Sequence, residues 1–422
     1  MNADRQAQPD IVEPRTGPLP LRVLVTAQAF GFGPAAAMAQ VFEHLRPRVR
    51  YLAFAGAGHT CDLHVALPYD AVHRLPEVGT GEAFGRLCAE HDAALVSCDV
   101  PAGEAARAAG IPFGFYDPIP WFWPEWPSVF ESADVYLCQD FFGVRERVAD
   151  AGRPNVVVVP PMLPGLVQTA TERSSRVLVN LGGIRNPLHP QEASVSYARL
   201  VMAIVPAAAQ LSSEVHVATS QLIAGHLQQE VLAARTIPTR ELQHLLGTCE
   251  LAAMTPGLGN IYEAAALAKR VFWLPPANAS QGQQLVILQQ RGLAPFAADW
   301  HDILPARAPI DYWRPEPMVL QDVAIAIEDA WKAPAAAERL RARFFQAHRA
   351  PATPNPLHAL LDCFGAGGDR HVAEIFVKRV LTPLARSGSH LLLNAPNAAG
   401  FPDTEPRENS SNGPFTELGV GK

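Results

Sequence analysis

Short apolar or β-branched runs recur through the first part of the chain, at 21–26, 51–55, 93–97, 112–116, 134–138 and 155–159, separated by helix-length, alanine-rich stretches. Runs that are apolar throughout are buried on both faces, and the helical spacers supply the crossovers that parallel strands need. The rhythm breaks at Pro160-Pro161-Met162-Leu163-Pro164-Gly165 and the polar stretch 168–175, then restarts at 176–181, 214–218, 250–254 and 270–274. This predicts an α/β chain of two Rossmann-like domains: 21–165 and 176–350, with a linker between them. Residues 1–20 form an N-terminal extension. Helical patterns at 318–331 and 334–348 close the second domain, 351–385 is a further helical segment, and the Ser/Asn/Gly/Pro-rich 386–422 reads as a disordered tail.

Composition narrows the partners. With 422 residues, 48% of them hydrophobic and 18% charged, the chain can bury two large cores. A net charge of −7 from interspersed residues offers no basic stripe, which argues against nucleic acid. Cys61, Cys88, Cys98, Cys138, Cys249 and Cys363 form no CxxC pair, which argues against structural zinc and a secreted disulfide framework. No apolar run reaches about 18 residues and the first 20 lack an export signal, so no membrane contact and a cytoplasmic location are expected.

The segment most suited to chemistry is Thr255-Pro256-Gly257-Leu258-Gly259-Asn260, which follows a strand and opens a helix carrying Glu263. Gly257 and Gly259 let backbone approach a ligand and allow φ values other residues avoid, while a helix N-terminus favours phosphate. Glu263 lies about one turn, roughly 6 Å, into the helix, where a carboxylate can accept from ribose hydroxyls. The same spacing also reads as Asn260 capping the helix with Glu263 as its capping-box partner. Gln281, Gln283 and Gln284 follow the next strand at its carboxyl end, and neutral amides suit sugar hydroxyls.

The run Gly257-Leu258-Gly259-Asn260-Ile261-Tyr262-Glu263-Ala264 with Gln283-Gln284 resembles the donor box of the N-acetylglucosaminyltransferase of peptidoglycan synthesis, a GT-B glycosyltransferase. The resemblance implies a GT-B fold, two domains facing across a cleft, and a donor held by Thr255, Gly257, Leu258, Gly259, Asn260, Glu263, Gln283 and Gln284. It further implies that Gly182, Gly183 and Arg185, in the turn after the second domain's first strand, face the pyrophosphate, with Arg185 offsetting charge on the leaving group. The chain also resembles the cytosylglucuronic acid synthases of nucleoside-antibiotic pathways in 23–33, 180–186 and 255–263. That implies transfer of glucuronate from UDP-glucuronate to cytosine or hydroxymethylcytosine, a small planar acceptor. The donor is a co-substrate; no cofactor and no metal are expected.

In many GT-B enzymes the loop after the first strand faces the acceptor and often ends in Gly-His. Here it holds Gln28, Phe30, Gly31 and Gly33, with Phe or Pro where histidine would stand. His59, after the second strand, is suited to substitute as a base or to hold a substrate carboxylate, though a lone loop histidine also reads as structural or solvated. Asp99 and Asp117 follow strands at the same sheet edge, and each is equally suited to capping a turn or helix. Between 119 and 127, three tryptophans and a phenylalanine are held by three prolines: Trp121 and Trp123 suit stacking on a flat acceptor, and Glu125 suits its edge or the role of base, while the same loop reads equally as a lid or an interdomain packing patch. The overall expectation is an inverting glycosyltransferase. A UDP-sugar hydrolase or epimerase, or a non-catalytic sugar-nucleotide-binding partner, are the alternatives.

Overall fold

The computed structural model describes residues 18–163, 176–186, 190–212, 214–227, 234–351 and 355–387. The expected linker beyond 163, the extension before 18 and the tail beyond 387 lie outside these residues.

Two wholly parallel sheets carry the fold. The first contains β1 (Leu19–Ala27), β2 (Val49–Ala57), β3 (Ala71–Leu75), β4 (Ala93–Ser97), β5 (Phe113–Asp117), β6 (Val135–Gln139) and β7 (Val156–Val159), in the order β3-β2-β1-β4-β5-β6-β7. The second contains β8 (Arg176–Asn180), β9 (Glu214–Ala218), β10 (Ala234–Arg235), β11 (Leu251–Met254) and β12 (Val271–Trp273), in the order β10-β9-β8-β11-β12. Each sheet therefore starts in its middle, winds outward, and crosses back to the other side of its first strand. This is the GT-B arrangement of paired Rossmann-like sheets. The crossing points lie between β1 and β4 and between β8 and β11, where neighbouring loops leave in opposite directions and open a crevice at the carboxyl ends.

Alternation along each strand distributes the core. In β1, Leu21, Val23, Val25 and Ala27 face one layer of helices and Leu24 the other. In β8, Val177 and Val179 face an outer helical layer, whereas Leu178 joins Leu24, Val96, Phe115 and Tyr136 of the first sheet in one continuous apolar cluster. The two domains thus share a core. Pins reinforce it: the Tyr262 hydroxyl donates to the Asp140 carbonyl at 2.7 Å, and the Arg291 guanidinium lies 4.1 Å from the Phe142 ring centroid.

Two strands escape the sequence pattern. β3 is an edge strand carrying His73 and Arg74, and β10 is two residues long; neither presents a continuous apolar run. The helical segment after 351 has a definite destination. Helix Gly368–Phe376, the π-helical turn Val377–Leu381 and helix Thr382–Arg386 return to the first sheet, where Val372, Phe376, Val380 and Leu381 pack with Leu21, Met38 and Leu137. Gly114 of β5 makes room for this return, since a Cβ there would lie 2.8 Å from Phe376 Cδ2. Gly368 sits equally close, its amide donating to the Pro161 carbonyl at 2.9 Å. Phe376→Ala should destabilise the chain by about 3–5 kcal/mol, the cost of emptying a core phenylalanine site. Urea unfolding followed by circular dichroism measures it; a loss under about 1 kcal/mol would mean the C-terminal helices contribute little to the first domain.

Candidate functional site

At the carboxyl edge of the second sheet, buried amides lace three loops together. Asn180, the last residue of β8, accepts from the Gly182 amide at 2.9 Å and donates through Nδ2 to Asn260 Oδ1 at 3.1 Å. Asn260 in turn donates to the Thr255 carbonyl at 2.9 Å. Gln281 closes the set: its Nε2 donates to the Gly183 carbonyl and its Oε1 accepts from the Ala277 amide, both at 2.9 Å. The loops after β8, β11 and β12 are thus fixed before any ligand arrives, because Asn180, Asn260 and Gln281 each have their partners.

This geometry corrects three expectations. Asn260 is not the helix cap: helix Leu258–Ala266 begins after Gly257, Asn260 is its third residue, and its side chain turns back to Thr255. The capping-box alternative for Glu263 falls with it. Gly257 does not adopt a glycine-only conformation, having φ −79° and ψ 149°, and Gly259 is helical. What the two glycines provide is space, since a Cβ on either meets nothing within 4 Å. No side chain caps this helix, so its N-terminus opens on that space. Finally, Gln283 is committed to the fold: its Nε2 donates to the Tyr312 carbonyl at 2.8 Å, because the Tyr312 ring packs where a side chain on Gly282 would stand. Gln284 is buried, and among the described residues nothing bonds its Oε1. Of the three glutamines, it is Gln281 that reaches the glycine turn.

Glu263 lies half-buried one and a half turns into the helix, accepting from Gln243 Nε2 at 3.2 Å, and burial pushes its carboxyl up to about 6. Gln243 belongs to helix Thr239–Thr248, and no local motif marks it.

The loop after β1 meets this rim directly. Gly31 takes φ +56°, its amide donates to the Arg185 carbonyl at 2.7 Å, and a Cβ on it would lie 3.5 Å from Gly183 Cα. Phe32 lies beside Gly182, so the turn expected to face pyrophosphate across an open cleft is covered here by residues 31 and 32. Gln28 ties the loop to β4 through its amide and the Ser97 carbonyl, 3.0 Å apart, and the exposed Gly33 starts helix Gly33–Leu45. Phe30 is half-buried.

The four candidate bases separate cleanly. Asp99 caps helix Val100–Ala108 by accepting from the Ala102 amide at 3.0 Å, and burial raises its carboxyl to about 6. Asp117 is fully buried and accepts from the Ile119 amide, Trp123 Nε1 and the Tyr136 hydroxyl at 2.9, 3.1 and 2.7 Å; burial likewise raises it to about 6. Both therefore take the capping alternative, Asp99 on a helix and Asp117 on the turn at Ile119. Glu125 is exposed. His59 is different: its Nε2 donates to the Gly31 carbonyl, its ring meets Phe32 edge-on at 5.0 Å, and burial holds the imidazole below its usual range, with Arg185 acting in the same direction. Among the described residues nothing bonds Nδ1, which in the tautomer that donates from Nε2 carries a free lone pair.

Trp123 is held by Asp117, and Trp121 packs against Phe141 with ring centroids 5.5 Å apart, so both tryptophans are seated by the protein itself. Among the described residues no cluster of His, Cys, Asp and Glu is grouped to hold a metal ion, and no helix is long and apolar enough to cross a membrane. A cavity of about 340 Å³ lined by Arg199, Leu200 and Trp331 lies in the outer helical layer of the second domain, apart from the rim.

Neither a family model nor a curated protein matches the sequence. Solved structures similar to it include the spinosyn rhamnosyltransferase SpnG, at 15% identity over 82% of this chain and 99% of that one with a TM-score of 0.42. The calicheamicin glycosyltransferase CalG4 is 14% identical over 86% and 99%, with a TM-score of 0.44. The glycosyltransferase SnogD from Streptomyces nogalater is 15% identical over 82% and 98%, with a TM-score of 0.40. At such distances the reading of the site rests on its own side chains.

Gly183→Ala should cost about 1–3 kcal/mol of stability, because its Cβ would lie 2.6 Å from Gln281 Nε2 and 2.9 Å from Thr255 Oγ1 and must part the laced loops. Thermal unfolding compared with Gly259→Ala, where there is open space, tests this; equal melting temperatures would show the loops are not tightly joined.

Proposed function

We propose that the chain is an inverting glycosyltransferase whose second domain holds a nucleoside-diphosphate sugar and whose first domain holds a small acceptor. The observation that carries this is the uncapped N-terminus of helix Leu258–Ala266, opening on free space beside the braced turn Gly182-Gly183, with Glu263 along the same helix. Such a tip attracts a diphosphate through its N–H groups and dipole, and Glu263 is placed to accept from the ribose hydroxyls. For the specific pair we propose UDP-glucuronate and cytosine or hydroxymethylcytosine, on the resemblance of 23–33, 180–186 and 255–263.

His59 is the base this reading selects. Its Nδ1 takes the acceptor proton as the acceptor atom bonds to the anomeric carbon from the face opposite the leaving group. The bond from that carbon to the diphosphate oxygen breaks, and its electron pair leaves on the diphosphate, where Arg185 and the helix tip stabilise the added charge. The neutral imidazole is the active form, and both burial and Arg185 favour that form.

Gly257→Val should leave the melting temperature unchanged, because its side chain enters open space, yet lower UDP-sugar affinity by about tenfold or more by filling the diphosphate position. Titration calorimetry measures both proteins; unchanged affinity removes the helix tip from the site. His59→Ala should lower turnover by about 10²–10⁴-fold. In the parent protein kcat/KM should stay level on acidification past about pH 6.5 and fall only below it, and Arg185→Ala should move that fall upward. A pH profile whose acidic limb is unaffected by either change would assign the base elsewhere.

A further inference from the structure

Residues 118–127 leave β5 immediately after Asp117 and border the crevice between the sheets. Pro118, Pro120, Pro124 and Pro127 remove four backbone donors from ten residues, so the segment has little means of holding itself by main-chain bonds. It is nonetheless seated at several points. Phe122 packs with the core of the second domain, while Trp121 and Trp126 pack with the cluster that runs through the first. Neighbouring rings brace each other: Trp121 with Phe122 at 6.1 Å and Phe122 with Trp123 at 5.2 Å, both edge-on. The segment is a strap from the acceptor-side sheet to the donor-side domain.

One carboxylate fastens it. Asp117 Oδ1 accepts from the Ile119 amide, at the strap's entry, and Oδ2 accepts from Trp123 Nε1, at its middle. Oδ2 also accepts from the Tyr136 hydroxyl, whose ring stacks on Phe115 at 5.2 Å and meets Trp126, near the strap's exit, edge-on at 5.9 Å. A buried carboxylate that accepts from three donors is costly to strip of any one of them. The Trp121 indole N–H, by contrast, is enclosed with no partner among the described residues, which leaves the strap one donor to offer.

We propose that Asp117 is a positioning residue that locks the 118–127 strap across the gap between the two sheets, and that the locked strap fixes affinity for a flat-ring acceptor without affecting the donor. The acceptor part rests on the transfer reading above; the locking part does not. Asparagine at 117 keeps the shape but offers one accepting oxygen in place of two, so at least one of the three donors loses its partner. Trp123→Phe removes a single donor and keeps a ring.

The experiment compares the parent chain with Asp117→Asn, Trp123→Phe and the double variant. Without substrates, hydrogen exchange at the Ile119 amide and acrylamide quenching of tryptophan fluorescence should each rise several-fold in Asp117→Asn. Unchanged exchange and quenching would overturn the lock whatever the chain's activity. With UDP-sugar and a flat-ring acceptor such as cytosine, each single variant should raise the acceptor KM by about tenfold, the scale of one lost buried hydrogen bond. Donor Kd should stay the same, and the double variant should be no worse than the single ones. A fall in kcat alone in Asp117→Asn, with Trp123→Phe unaffected, would make Asp117 the base and overturn the proposal. A parent protein that binds no UDP-sugar would defeat the transfer reading and the acceptor role, while the exchange result still decides the lock. Should Asp117→Asn fail to fold, Trp123→Phe and Tyr136→Phe carry both arms, and normal acceptor KM in both would overturn it.

Discussion

Two turns meeting almost backbone to backbone set the geometry of everything else. Gly31 of the first domain and Gly183 of the second approach so closely that a single Cβ on Gly31 would already be in contact with the other turn, and one hydrogen bond, from the Gly31 amide to the Arg185 carbonyl, joins them. Gly31 reaches this position only through a left-handed backbone, open to glycine at little cost. The same residue's carbonyl takes the His59 ring nitrogen, so one glycine couples the imidazole to the turn that carries Arg185. A donor that displaces residues 31 and 32 from Gly182 and Gly183 must therefore act on the imidazole as well. In the proposed transfer, base and leaving-group site are thereby mechanically coupled.

Around this contact the polar groups follow a consistent division. On the second sheet, amide side chains brace the loops: Asn180, Asn260 and Gln281 are neutral, so they can be buried and bonded to backbone without the penalty of burying charge. On the first sheet, carboxylates do the bracing, Asp99 for a helix and Asp117 for the strap, at the cost of raised proton affinity for both. Among the described residues, groups left open near the crevice include the tip of helix Leu258–Ala266, part of Glu263 and the Nδ1 of His59.

The sequence disclosed the architecture well because it is built of parallel strands. Buried on both faces, these read as unbroken apolar runs, and all six expected in the first half and all four in the second are strands. β3 and β10 were hidden because edge position and shortness remove that signal. The return of helix Gly368–Phe376 to the first sheet was hidden for a different reason: it depends on Phe376 meeting Gly114, residues with no local relation. The donor box was legible as a location, but its division of labour was not. Glycine at 257 and 259 could mean strained backbone or open space, and only the dihedral angles and the surroundings distinguish the two. Gln281, Gln283 and Gln284 are equivalent in the sequence until Gly282 admits the Tyr312 ring and assigns Gln283 to the fold.

The candidate bases illustrate why such assignments need three dimensions. Strand-end position made Asp99 and Asp117 as eligible as His59, since all of them surface at the edge where these sheets bind ligands. An acid held by several donors, however, loses basicity along the lone pairs those donors occupy. Burial raises the proton affinity of Asp117, but Ile119, Trp123 and Tyr136 already address both of its oxygens, so a proton arriving there must displace a bond that holds the strap. His59 spends only its N–H, on Gly31, and a neutral imidazole that has given away its one donor necessarily keeps a lone pair on the other nitrogen. The hydrogen bond that positions the ring is also the one that fixes its tautomer, leaving Nδ1 as the nitrogen able to accept a proton.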